Sequence, residues 1–94
     1  MNNVAIKVFK SKNKEGSIKG FCKLIFDDVF AITGIMIKEN KEGELFVTMP
    51  QRKDDSSDTG YRDICFPTTK NYRKELTDAI LSEYRALITA SSSD

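Results

Sequence analysis

Between residues 4 and 66 the apolar stretches alternate with a period of two or run continuously between polar links, and only residues 71–88 repeat every three to four positions. One helix can cover one face of a sheet and no more, so this contrast sets the folding problem. Val4, Ile6 and Val8 alternate with Ala5, Lys7 and Phe9, which is one strand. Ile18, Gly20, Cys22, Leu24 and Phe26 alternate with Lys19, Phe21, Lys23 and Ile25, which is a second, and Asp27-Asp28 breaks it. Residues 30–37 are almost wholly apolar and form a third strand, with Phe30, Ile32 and Met36 on one face and Ala31, Ile35 and Ile37 on the other. Gly34 marks a bulge or a close backbone approach there. A fourth strand over 44–49 sets Leu45, Val47 and Met49 against Phe46, and a shorter fifth over 61–66 is closed by Pro67.

The connections are polar: 11–17 with Gly16, the turn 39–43, and a loop over 51–60. Links this short favour antiparallel neighbours, because parallel strands need crossovers of about a dozen residues or more. The helical stripe is Tyr72, Leu76, Ile80 with Ala79, Glu83 or Tyr84, and Leu87. Thr68, Thr69 or Asn71 can cap its start. Glu75 and Asp78 lie in its first half and Arg85 near its end, as the helix dipole prefers. The spacing predicts an α+β fold: an antiparallel sheet of about five strands with one C-terminal amphipathic helix. It forms a single domain over 1–88, and a disordered tail follows over 89–94. Strands three and four are apolar on both faces, so the second face needs another cover. A second copy of the chain supplies one, giving a homodimer; a sheet curled onto itself is the alternative.

Composition narrows the function classes. The 94 residues are 39% hydrophobic and 31% charged, the balance of a globular domain and not of a disordered chain. No apolar run approaches the ~20 residues that cross a bilayer, and the start of the chain shows no basic-then-apolar signal, so a cytoplasmic protein without a membrane partner is expected. Cys22 and Cys65 sit in apolar stretches and read as reduced, buried thiols. There is no histidine, which removes the commonest general base and leaves a structural zinc site within one protomer without enough ligands. The acidic stretch 54–60 lacks the glycine and the bidentate glutamate of a calcium loop and reads as a solvated, flexible loop. Asp27 and Asp28 are adjacent on an extended chain and cannot share one substrate. No phosphate-cradling or dinucleotide fingerprint is present. These features favour a non-enzyme with no cofactor, no metal and no small-molecule substrate.

The cations are better placed than their number suggests. Net charge is only +1, yet Lys7, Lys10, Lys12, Lys14, Lys19 and Lys23 face Glu15 alone in the first 23 residues. Such an imbalance makes a basic face or protects a sheet edge. Leu45-Phe46-Val47-Thr48-Met49-Pro50 is an apolar strand that stops at proline and presents Arg52 and Lys53 directly after it. Lys70, Arg73 and Lys74 crowd the start of the helix, where they oppose the dipole's positive end. A placement that disfavours folding there suits phosphate contact, and it is also met in ordinary solvated first turns. Arg62 is either a further phosphate contact or the partner of Asp63 or another acid. Tyr61 is either a stacking platform for a base or a core residue.

Met49-Pro50-Gln51-Arg52-Lys53, Tyr61-Arg62-Asp63-Ile64-Cys65-Phe66-Pro67 and Asp78-Ala79-Ile80-Leu81-Ser82-Glu83-Tyr84 together resemble the stage V sporulation protein G (SpoVG, septation regulator) family. Residues 20–32 fit that family's strand, acidic turn and strand, and the resemblance spans about residues 3–87. It implies a small dimeric α+β protein that binds DNA or RNA and regulates gene expression, linked to sporulation and septation. It further implies that Arg52 and Lys53 contact nucleic acid and that Lys70, Arg73 and Lys74 tune sequence preference. Three features depart from the pattern: Gln51 for serine, Phe66 for histidine, and three aspartates in 54–60 that repel phosphate beside Arg52 and Lys53. A protein-interaction adaptor using an exposed strand edge or helix face is the alternative function.

Overall fold

A three-residue connection, Asp27, Asp28 and Val29, fixes the pairing of the two longest strands. Phe26 ends one strand, Val29 N donates to Phe26 O at 3.0 Å, and Asp27 and Asp28 both take left-handed backbone angles, φ 52° and 60°. Two consecutive positive φ values make the mirror-image turn whose twist suits an antiparallel hairpin, and aspartate tolerates that region better than most side chains. The computed structural model describes residues 3–12 and 16–92. Strands β1 (Val4–Lys10), β2 (Ile18–Phe26), β3 (Phe30–Glu39) and β4 (Leu45–Thr48) form one antiparallel sheet in chain order. The expected connection at 11–17 lies partly outside the described residues.

The fifth strand departs from expectation. Residues 51–53 are not loop but a strand, β5 (Gln51–Lys53), which pairs with β6 (Tyr61–Asp63) in a separate two-stranded ribbon. The single sheet of about five strands is therefore four strands plus a ribbon. Pro50 explains the division, since it lacks the N–H with which β4 would continue the main ladder. β6 is also shorter than the stretch 61–66: Ile64 N still donates to Pro50 O at 2.8 Å in the ribbon's register, but Pro50 has no N–H to return the bond.

Gly34 is the bulge. Between the pairs Cys22↔Ile35 and Leu24↔Ile32, β3 spends one residue more than β2, and Gly34 sits in that step at φ +87°. The extra residue reverses the alternation, so Ile32 joins Ile35 and Ile37 on the core side and leaves the face first assigned to it with Met36. Ile35 and Ile37 are completely buried.

Helix α1 (Lys70–Ser92) lies over one face of the main sheet. Thr69 is its cap: Tyr72 N donates to Thr69 Oγ1 at 3.1 Å. Leu76, Ile80, Leu81 and Tyr84 are buried against Cys22, Leu24, Phe26, Ile35, Ile37 and Met49. Tyr84, not Glu83, thus completes the stripe. The helix continues to Ser92, so positions 89–92, expected in a disordered tail, are helical. Its first turn holds no acid and its last turn no base, which places Glu75, Asp78 and Arg85 further from the ends than the dipole argument needs.

The opposite face of the sheet is uncovered. Phe9, Phe21 and Met36 are successive cross-strand partners there, and Phe9 and Phe21 stay 55% and 42% exposed. Phe46, opposite Lys38, is exposed as well. The four strands do not curl back to bury this face. No helix among the described residues is long and apolar enough to cross a membrane.

Candidate nucleic-acid interface

The ribbon grows from three consecutive long polar residues that would gain nothing in a core. Gln51, Arg52 and Lys53 are all exposed. Their partners are Asp63, Arg62 and Tyr61 respectively. Directly opposed residues share a face, so Gln51, Asp63, Lys53 and Tyr61 lie on one side and Arg52 with Arg62 on the other. Gln51 Nε2 donates to Asp63 Oδ1 at 2.8 Å, which ties the base of the ribbon. Arg52 and Lys53 make no ion pair among the described residues.

Arg62 is committed elsewhere. Its Nε lies 2.7 Å from Asp54 Oδ2, and Asp63 is not its partner. Asp54 is the hub of the connecting loop. Its Oδ1 accepts from Ser56 N at 3.0 Å and from Ser56 Oγ at 2.6 Å, and its backbone N donates to Gly60 O at 2.9 Å. The Ser56 hydroxyl and amide, with Arg62, hold the Asp54 carboxyl below the ordinary carboxylate range. Stretch 54–60 is therefore a bonded turn and not the loose loop expected from its composition. One of its three aspartates is neutralised locally; Asp55 and Asp58 remain exposed.

Tyr61 is settled as a surface residue, 55% exposed and outside the core. Its backbone is held from both sides. Ser57 Oγ and Thr59 Oγ1 donate to its carbonyl at 2.7 and 3.2 Å, and its N donates to Thr59 Oγ1 at 3.4 Å.

Lys70, Arg73 and Lys74 occupy the first turns of α1 and are exposed. Lys74 Nζ reaches Asp78 Oδ2 at 3.4 Å, a solvated pair one turn apart. No hydrogen bond or ion pair joins these three to the ribbon among the described residues. The structure thus gathers Arg52, Lys53 and Arg62 on one element and leaves Lys70, Arg73 and Lys74 on another. Sequence reasoning missed the Gln51–Asp63 tie and the roles of Asp54, Ser57 and Thr59. Pro50 on one side and Thr59-Gly60 on the other were the signals of a hairpin.

Bounded by the β2–β3 turn, the 65–68 segment and the start of the helix, Leu24, Phe26, Met49, Phe66, Tyr72 and Leu76 line an open apolar cavity of about 490 Å³. Val29, Phe30, Ile64 and Phe66 are exposed apolar side chains, and all but Ile64 border this cavity. Cys65 also faces it and is half-buried, whereas Cys22 is fully buried and its thiol is pushed up to about 11 by that burial.

Three relatives place the chain. It is 31% identical over 80 residues to "Putative septation protein SpoVG" of Archaeoglobus fulgidus, covering 85% of this chain and 89% of the relative. The protein of that name from Agathobacter rectalis is 36% identical over 75 residues, 80% of this chain and 83% of the relative. A longer one, from Symbiobacterium thermophilum, is 36% identical over 73 residues, 78% of this chain but 50% of the relative. The model of the SpoVG family matches residues 1–86. With this match over nearly the whole domain, the chain belongs to the SpoVG family.

Proposed function

We propose that this protein is a homodimeric regulator of gene expression that docks on DNA or RNA through ribbon β5–β6, without catalysing a reaction. One observation carries this: Arg52 and Lys53 stand exposed and unpaired among the described residues, on a short, hydrogen-bonded ribbon. Cations held on a rigid element lose little freedom on meeting phosphates, and their counterion release drives association. Arg62 supports the ribbon from within through Asp54 and adds field more than contact. Lys70 and Arg73, at a helix start that no acid offsets, would supply further cations from a separate element. The bare sheet face with Phe9, Phe21 and Phe46 supports pairing with a second copy, which would double the number of cations per complex. The names of the relatives point the regulated process toward septation.

The test is the salt dependence of binding. Arg52→Ala with Lys53→Ala is expected to weaken binding to every oligonucleotide and to flatten the slope of log K against log salt by up to about two units per protomer. An unchanged slope would remove these two residues from the interface. A second reading, an adaptor for another protein, draws on the apolar cavity and on exposed Val29 and Phe30 beside it. A salt-insensitive protein complex, with no oligonucleotide bound, would favour it.

A further inference from the structure

We propose that the ribbon prefers single-stranded nucleic acid, with Tyr61 stacking on an unpaired base and Lys53 meeting the phosphate beside it. The inference rests on the nucleic-acid reading above and deepens it.

The first observation is a fixed yet bare aromatic. Tyr61 is directly opposite Lys53, so ring and ammonium rise from the same face with Cβ atoms about 5 Å apart. Three hydrogen bonds with Ser57 and Thr59, two accepted by its carbonyl and one donated by its N–H, clamp the Tyr61 backbone, while Tyr61 is 55% exposed and lies outside the core. Gly60, at φ +84°, sets the bend that delivers the chain to this position. An aromatic held in advance loses little entropy when a flat partner stacks on it. Unpaired bases offer their flat faces; a duplex buries those faces and shows only edges in its grooves.

The second observation is the distribution of charge around the ribbon. Arg52 and Lys53 are consecutive on β5 and therefore project to opposite faces. A flexible single strand can turn around the ribbon edge and reach both. A duplex, stiff over about 150 bp, reaches both only by admitting the ribbon into a groove. The loop at the ribbon's tip carries exposed Asp55 and Asp58, which would enter first and be repelled by the phosphates lining the groove. Asp54 is no obstacle, because it is bound to Arg62 on the face away from Tyr61.

The experiment compares a labelled oligothymidylate of about 15 nucleotides, within the span of known single-strand sites, with a mixed-sequence duplex of equal length, by anisotropy at low salt. The wild-type protein should bind the single strand more tightly. Tyr61→Leu should weaken that binding about 5- to 100-fold and leave duplex binding unchanged, whereas Tyr61→Phe should restore it. The chain has no tryptophan, so its tyrosine emission is directly readable. Stacking should quench that emission in the wild type, and Tyr61→Phe should lose the quench while keeping the affinity. Circular dichroism melts report whether the variants fold, and the exposed ring predicts that they do. Equal or tighter duplex binding, or a Tyr61→Leu protein with wild-type single-strand affinity, overturns the preference and leaves the nucleic-acid reading standing. Failure to bind either probe overturns both.

Discussion

At Gly20 the Tyr84 ring of the helix packs directly on the sheet backbone, and alanine there should disturb that contact. A Cβ at Gly20 would lie 2.7 Å from Phe9 O and 3.1 and 3.3 Å from two ring carbons of Tyr84. The carbonyl belongs to the neighbouring strand β1, where Phe9 pairs with Phe21 and Lys10 with Gly20 itself, so it cannot retreat without breaking the ladder. The ring belongs to a buried helical residue whose hydroxyl donates to Lys19 O at 3.4 Å. Overpacking of this kind costs about 1–3 kcal/mol. Alanine recovers part of that, about 0.4–1 kcal/mol, by restricting the unfolded chain. The net loss centres on about 1.3 kcal/mol, which for a domain of this size lowers the melting temperature by about 5–10 °C. Thermal unfolding followed by circular dichroism measures it. Tyr84→Leu removes the ring clash but not the carbonyl clash, so the double variant should lose less than the sum of the single losses. A Gly20→Ala protein that melts at or above the wild-type temperature would refute the close contact of Tyr84 with Gly20.

Two further outcomes can be checked on the unmodified protein. A thiol reagent at mildly alkaline pH should label half-buried Cys65 in the native state and reach Cys22 only on unfolding, because burial keeps the Cys22 thiol protonated; rapid native labelling of Cys22, read by peptide mass spectrometry, would contradict the core assignment. The Asp54 carboxyl is depressed in the fold, so its loop bonds are present at neutral pH and should be lost as pH falls through its folded value, below the usual aspartate range. The Ser56 amide resonance should report that transition, and a Ser56 signal that does not move in acid would show that the bond to Asp54 is absent.

The parts of the fold that periodicity reveals are those whose side chains alternate without interruption. β1, β2 and the stripe from Tyr72 to Tyr84 are of this kind, and each stands where the pattern puts it. Gly34 defeats the same logic: one inserted residue moves Ile32 to the other face, and only the pairing with β2 shows it. β5 was invisible for a different reason. Gln51, Arg52 and Lys53 are polar on both sides, so a two-strand ribbon in solvent carries no hydropathy signal at all. The same polarity made Arg52 and Lys53 conspicuous as candidate contacts. What their identities could not convey was partnership. Asp63, next in sequence to Arg62, turns to Gln51, and Arg62 reaches back across the loop to Asp54.

Ribbon β5–β6 pairs within itself, closed at its base by Ile64 N and Pro50 O, and its six residues lie outside the core between sheet and helix. Mutational drift in its six residues therefore leaves the scaffold's melting behaviour nearly untouched. Whatever surface the ribbon presents can thus change its side chains on a different schedule from the interior that holds the fold.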